Sequence, residues 1–272
     1  RCCCCHLVFA TMSALVALME GLKVADASTD SIVNAVKAAP QSASATVEGL
    51  VEKASATGKA DAVAAKNALV ALDALVNSNV VAVEGPISKH FAKIVCCAAS
   101  KDKAIREATV SMCNTFAAKM SADNVRFLLP ILFEVSKGGY GLQGGTAFNA
   151  RVLALNLIQS FSENAPEQLG FALPLVVPEV TASMSDPKKD ISKAANDALV
   201  ASCDVIGNRD IEHMTANIVR SVVTPADTPE IMHKLAGVTF VQSVSASALA
   251  MVVPLLLRGL RSNLTATRRQ SA

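Results

Sequence analysis

Leu128-Leu129-Pro130-Ile131-Leu132, Val176-Val177-Pro178-Glu179-Val180 and Val252-Val253-Pro254-Leu255-Leu256 share one form: two apolar residues, a proline, any residue, an apolar residue. Their spacings are multiples of roughly 40 residues if one unit lacks its proline, and that period marks stacked helical repeats. Shortly after Pro178 comes Asp186-Pro187-Lys188-Lys189-Asp190-Ile191, then an alanine-rich run. Lys101-Asp102-Lys103-Ala104-Ile105 leads into another such run. Each unit therefore reads as a first helix carrying proline, a tight polar turn, and a second helix with small residues inside. Proline removes a backbone donor and bends its helix. Small residues let the paired helix approach closely.

Helical periodicity supports this reading along the chain. Ile105, Ala108, Thr109, Met112, Cys113 and Phe116 fall on one helical stripe, as do Ile191, Ala194, Ala195, Ala198, Leu199 and Ser202. Leu128, Ile131, Leu132 and Val135 form a shorter stripe, and Val253, Leu256, Leu257 and Leu260 another. Strand-type alternation is nearly absent; β-branched runs such as Val80 to Val83 sit beside helical patterns. Ser100, Ser121, Ser185 and Asn208 are placed to cap helix N-termini. Gly21, Gly58, Gly138-Gly139, Gly207 and Pro40 mark breaks. One helix pair cannot bury both apolar faces alone, whereas stacked neighbours can. The fold class expected is all-α, a HEAT-repeat solenoid of the armadillo-like superhelical kind. Residues 86–272 are expected to be HEAT repeats with the last one cut short, and residues 12–85 divergent helical repeats.

Composition agrees. The chain of 272 residues is 51% hydrophobic, with 9 Phe, one Tyr and no Trp, a small-aliphatic balance suited to packed helices rather than an aromatic β-sandwich. Of the 8 Cys, four are consecutive (Cys2 to Cys5) and the rest lie in apolar runs, so no disulfide framework is indicated. Cys2 to Leu22 is apolar enough to suggest a signal or anchor, but Glu20 and Lys23 close it and no small-residue cleavage site follows. The first Met is Met12, so residues 1–11 are expected to be a non-native or upstream leader. No other segment runs to 18 consecutive apolar residues, and no transmembrane helix is expected. A cytoplasmic, monomeric protein without membrane or small-molecule partners is the expectation.

Motifs that could carry chemistry each fail a physical requirement. Gly139-Tyr140-Gly141-Leu142-Gln143-Gly144-Gly145-Thr146 approaches a P-loop, but Gly145 stands where the phosphate-binding lysine belongs. A flexible connector, with Gly144 to Thr146 opening the next helix, is the better reading. Cys2 to Cys5 with His6 offer zinc-ligand types, yet adjacent residues converge poorly on a tetrahedral ion. Cys96, Cys97 and Cys113 lack ligand spacing and read as core. His90, His213 and His233 have no nucleophile or carboxylate in a recognisable motif. Asn263-Leu264-Thr265 is a glycosylation sequon only in a secreted protein. No catalytic, cofactor or metal residues are assigned.

Charge is more informative. From Ile231 to Ala272 there is no Asp or Glu, while Lys234, Arg258, Arg261, Arg268 and Arg269 lie there. Lys101, Lys103 and Arg106 surround one turn; Lys188, Lys189 and Lys193 surround another. In a stacked solenoid, equivalent turns line up along one ridge, which could follow an RNA backbone through phosphate contacts. An ordinary solvated face is the other reading. Few aromatics are present, so base-stacking readout of single strands is not indicated.

Particular residues also carry a family likeness. Gly207-Asn208-Arg209-Asp210-Ile211-Glu212, Thr228-Pro229-Glu230 with His233 and Leu235, Thr239-Phe240-Val241, Met251 to Leu256, Arg258-Gly259-Leu260 and Arg269-Gln270-Ser271-Ala272 follow in order. With Asp186-Pro187-Lys188-Lys189, Lys101-Asp102-Lys103, Leu128-Leu129-Pro130 and Leu15 to Leu22, they resemble the HEAT region of translation elongation factor 3, a ribosomal ATPase. The likeness spans residues 13–272 and is strongest after Leu173. It implies docking on the ribosome, through rRNA and ribosomal proteins. The family's release of deacylated tRNA from the exit site uses ATP and Mg bound by cassettes that this segment does not contain. The family often has a Trp near Tyr140 to Phe148, absent here. The ribosome-associated activator of the starvation-response kinase has a similar stretch, so a protein-scaffold array is the alternative.

Overall fold

A computed structural model describes residues 21–23, 29–56, 61–243 and 245–272. The leader, the start at Met12, Cys2 to Cys5 with His6, all but Gly21 and Leu22 of the stretch from Leu15 to Leu22, and the break at Gly58 lie outside the described residues. Among those described, every regular element is helical, with fourteen α-helices joined by short 3-10 turns and loops. The chain divides into two compact units, one ending at Leu157, the other running from Ile158 to Ala272.

The first unit holds α1 (Asp30–Ala38), α2 (Ala43–Ala54), α3 (Ala62–Asn77), α4 (Glu84–Cys96), α5 (Lys103–Lys119), α6 (Val125–Ser136) and the start of α7 (Ala147–Asn164). Alternate helices stack: α2 on α4 on α6, and α1 on α3 on α5, while α2 pairs with α3 and α4 with α5. That is the two-layer order of a HEAT array. Ile105, Thr109, Met112, Cys113 and Phe116 are buried on α5 as the stripe requires, and the rings of Phe91 and Phe116 lie 5.4 Å apart between α4 and α5. Ala64, Ala65, Ala68 and Ala71 are buried on α3, the kind of small-residue face that permits close helix approach. Val81–Val83 forms a 3-10 turn rather than a strand.

The second unit holds α8 (Pro166–Met184), α9 (Lys189–Asp204), the short α10 (Arg209–Glu212), α11 (Thr215–Val223), α12 (Thr228–Leu235), α13 (Ala246–Leu260) and α14 (Thr265–Ser271). The hairpins α8–α9 and α13–α14 follow the expected plan, with Pro174 and Pro178 inside α8 and Pro254 inside α13. Pro174 and Pro178 are exposed, so water can serve the backbone carbonyls they leave unpaired. α11, between them, has no proline and only 9 residues. It does not keep its neighbours apart. α13 packs directly on α8, and Ser247 Oγ donates to the Gly170 carbonyl at 2.6 Å. Arg220 on α11 reaches Asp227 at 3.0 Å and Glu230 at 3.2 Å, tying α11 to the start of α12.

Two sequence expectations are corrected. Val253, Leu256, Leu257 and Leu260 are not the core stripe of α13; Val253, Leu257 and Leu260 are exposed, and Ala248, Met251, Val252 and Leu255 are buried instead. This helix is apolar nearly all round, so periodicity alone cannot select the inward face. Three of the four proposed serine and asparagine caps also shift. Asp102 caps α5, accepting from Ala104 N at 2.8 Å, while Ser100 Oγ accepts from Asp102 N two residues earlier. Ser121 offers no side-chain cap and Ser185 follows the end of α8. Asn208 does cap α10, accepting from Asp210 N at 3.0 Å.

Candidate nucleic-acid interface

Three turns carry the basic residues, and in each a side-chain oxygen accepts from the backbone N–H two residues on. In the first, Ser100 Oγ accepts from Asp102 N at 3.2 Å, and Arg106 Nη1 folds back to donate to the carbonyls of Ser100 (2.9 Å) and Lys101 (2.8 Å). In the last, Ser262 Oγ accepts from Leu264 N at 3.2 Å, and Arg268 Nη1 donates to the carbonyls of Ser262 (2.8 Å) and Asn263 (3.0 Å). Arg268 Nη2 also reaches Thr265 Oγ1 at 3.1 Å. In the middle turn Asp186 Oδ1 takes the serine's place, accepting from Lys188 N at 2.9 Å. Ser192 holds the arginine's position, and its hydroxyl donates to the Met184 carbonyl at 2.8 Å. Pro187 stiffens this turn by fixing its own φ.

The ten basic residues therefore divide by environment. Lys101, Lys188, Lys189, Lys193, Arg261 and Arg269 are exposed. Lys103 is exposed too, but lies 3.5 Å from Glu107 in an i,i+4 pair. Arg106 and Arg268 clasp turn carbonyls. Arg258 is half-buried and donates through Nη1 to the Ser221 carbonyl in the last turn of α11, where helix carbonyls lack internal partners. Carbonyl contacts do not neutralise a guanidinium, so all four arginines of the C-terminal end keep their charge. No Asp or Glu opposes them after Glu230. The first two turns are weaker, because Asp102 and Glu107 accompany the cations of one, and Asp186 and Asp190 those of the other. By charge, the end from Arg258 to Arg269 dominates.

The remaining sequence candidates fall elsewhere. The glycine-rich segment joins α6 to α7, so a helix stands where a P-loop requires a strand. Tyr140, Gly138, Gly141 and Gly144 take positive φ there, and Thr146 Oγ1 donates to the Ala99 carbonyl at 2.6 Å, just ahead of α7. Among the described residues no group of three or more His, Cys, Asp or Glu could hold a metal ion, and no helix is long and apolar enough to cross a membrane. Cys97, Cys113 and Cys203 are buried. Burial pushes the thiols of Cys96 up to about 11 and of Cys97 and Cys203 up to about 12, and raises that of Cys113 as well. These are packing thiols, protonated at neutral pH.

The model of the EF3 N-terminal HEAT repeat matches residues 22–199, and the Elongation factor 3/GNC1 HEAT repeat matches residues 227–272. The chain belongs to the elongation factor 3 HEAT-repeat family. The two elongation factor 3 matches take in all three basic turns; Gly207 to Glu212 lies between them. Among relatives, Elongation factor 3 of Phytophthora infestans is 37% identical over 172 residues, covering 63% of this chain and 16% of the relative. That of Gonapodya prolifera is 32% identical over 221 residues, 77% of this chain and 19% of the relative. Elongation factor 3A of Saccharomyces cerevisiae is 27% identical over 219 residues, 80% of this chain and 20% of the relative. The chain thus spans a fifth or less of the length of these elongation factor 3 proteins.

Proposed function

We propose that this HEAT segment docks an elongation factor on the ribosome through phosphates of rRNA, with release of deacylated tRNA from the exit site belonging to the ATPase of the longer protein. The observation that carries the reading is the recurrence of one turn frame at three places, each presenting lysine or arginine, within a family whose relatives are named elongation factors. Side chains on long flexible stems at exposed turns suit phosphate contacts, which position a protein without reading bases. The segment itself acts as a non-catalytic, cytoplasmic docking element.

Co-sedimentation with purified ribosomes tests this. Arg261→Ala with Arg269→Ala is expected to weaken pelleting most, and Lys188→Ala with Lys189→Ala less, because nearby carboxylates already offset the middle turn. Parent and both variants pelleting alike would place the contact elsewhere.

A protein-scaffold role has its own observation. α8 and α13 pack side by side and each turns an apolar stripe outward: Phe171, 75% exposed, and Leu175, 61% exposed, on one; Val253 and Leu257 on the other. Exposed apolar surface of this kind marks protein contacts. Binding to ribosomes that survives high salt would favour this reading over phosphate docking.

A further inference from the structure

The arginines that clasp the turns differ in kind from the lysines that project from them. Arg106 spends one guanidinium nitrogen on two successive carbonyls, those of Ser100 and Lys101, and Arg268 does the same to Ser262 and Asn263. The arginine stands six residues after the serine in both, and in both the serine hydroxyl accepts from the N–H two residues on. A turn before a helix leaves its carbonyl oxygens directed at solvent, where their partial negative charge opposes an approaching phosphate. A guanidinium over two of them masks that charge and fixes the turn by charge-assisted hydrogen bonds.

We infer that Arg106 is a positioning residue of the docking surface: it holds the Ser100–Lys103 turn and covers two of its carbonyls, so that Lys101 and Lys103 meet the phosphates. Arg268 plays the same part at the C-terminal turn. The inference rests on the phosphate-docking reading above. Lysine is a poor substitute here, because the two N–H bonds of Nη1 point in fixed directions in the guanidinium plane, one to each carbonyl, whereas an ammonium is a freely rotating point charge on a flexible stem. The middle turn manages without the arginine, with Pro187 fixing the backbone and Ser192 bonding back to Met184.

The test uses ribosome pelleting across a salt series for the parent chain, Arg106→Lys, Arg106→Ala, Lys101→Ala/Lys103→Ala, and Lys101→Ala/Lys103→Ala/Arg106→Lys. Thermal melts confirm that each variant is folded. Arg106→Lys and Arg106→Ala are both expected to lose affinity, by about fivefold, the worth of one ordinary net hydrogen bond, while keeping the parent's salt slope. Without the two lysines, Arg106→Lys is expected to have no further effect. Parent-like binding by Arg106→Lys, with Arg106→Ala lowering the slope, would make Arg106 a direct phosphate contact and overturn the inference. An undiminished loss in the lysine-free background would overturn it too. A parent chain that fails to pellet at low salt would overturn the docking reading and this inference together.

Discussion

Asp210 holds Val241 in place: one carboxylate oxygen, Oδ2, accepts from Val241 N at 2.8 Å and from Gln242 N at 2.7 Å. Arg209 N closes the arrangement by donating to Gln242 Oε1 at 3.2 Å. Two stretches that carry the family likeness, Asn208 to Glu212 and Thr239 to Val241, are thus one structural unit. The carboxylate substitutes for the second strand or helix that would otherwise satisfy these backbone donors. Val241 remains 84% exposed at its side chain while its N–H is fixed.

Asp210→Ala is therefore expected to cost about 1.5–3 kcal/mol, the range for hydrogen bonds to a charged group. Amide hydrogen exchange at Val241 and Gln242 should accelerate, with α8 and α9 unaffected. Unchanged protection at both amides would show that the loop is held by something else.

Gly259 gives the opposite sign from an ordinary helical glycine. A Cβ there would press on Ser271 Oγ, and would lie 3.1 Å from Ser271 Cβ and 3.3 Å from Met232 Cγ. Gly259→Ala should destabilise by about 1–3 kcal/mol through overpacking. A further Ser271→Ala change should recover part of the loss. At an unconstrained helical site the same substitution would stabilise by roughly 0.5–1 kcal/mol, and denaturant titration giving that result would refute the close packing of α13 on α14.

The raised thiols make a pH prediction with a definite sign. A buried acid whose folded pKa lies above its unfolded value binds more protons in the folded state, so stability is full below the unfolded pKa and falls as pH rises towards the folded one. For Cys96 at about 11 and Cys97 and Cys203 at about 12, against the ordinary thiol value of 9.0, the decline begins near pH 9 and continues upward. Melting temperature should drop as pH rises from roughly 8.5 to 10. Alkylation at pH 8, read residue by residue by mass spectrometry, should leave Cys97, Cys113 and Cys203 nearly unlabelled in the native chain. Rapid native labelling of Cys113 would contradict its burial.

Stability and docking should separate by position. Leu199, 1% exposed on α9, packs in the core of the α8–α9 hairpin. Leu199→Ala should cost about 2–5 kcal/mol by leaving a cavity. Lys188→Ala with Lys189→Ala should leave the melting temperature nearly unchanged, since exposed charges add little stability. A melting loss in the lysine variant as large as that of Leu199→Ala would mean the turn is structural.

How much was legible in the chain depended on contrast. The stripes of α5 and α9 could be read because charged residues such as Glu107, Lys193 and Asp197 flank them. α13 offered no such contrast, and its inward face is set by Gly259 fitting under Ser271, a contact between separate helices. The prolines marked first helices correctly, but not the direct packing of α13 on α8, which depends on how little space α11 and α12 occupy. Among the basic residues, exposure of the turn lysines followed from their polar surroundings. The carbonyl-clasping role of Arg106 and Arg268 did not, although the shared spacing from Ser100 and Ser262 was available in the sequence. The Asp210 clamp joins residues too far apart for any local pattern.

The central claim, that this segment docks through phosphates, is tested most directly by the salt dependence of ribosome binding by the unmodified chain. Each neutralised phosphate releases counterion, so the logarithm of the binding constant should fall linearly with the logarithm of salt concentration, by roughly 0.7–0.9 per contact. Apart from the clasping Arg268, seven of the ten basic residues are exposed, five of them in turns that also carry carboxylates, and they predict a slope of about −3 to −6, with a change of about one for each of Arg261 and Arg269 on substitution. A binding constant that stays flat across the series, or a slope unmoved by Arg261→Ala/Arg269→Ala, would contradict the account.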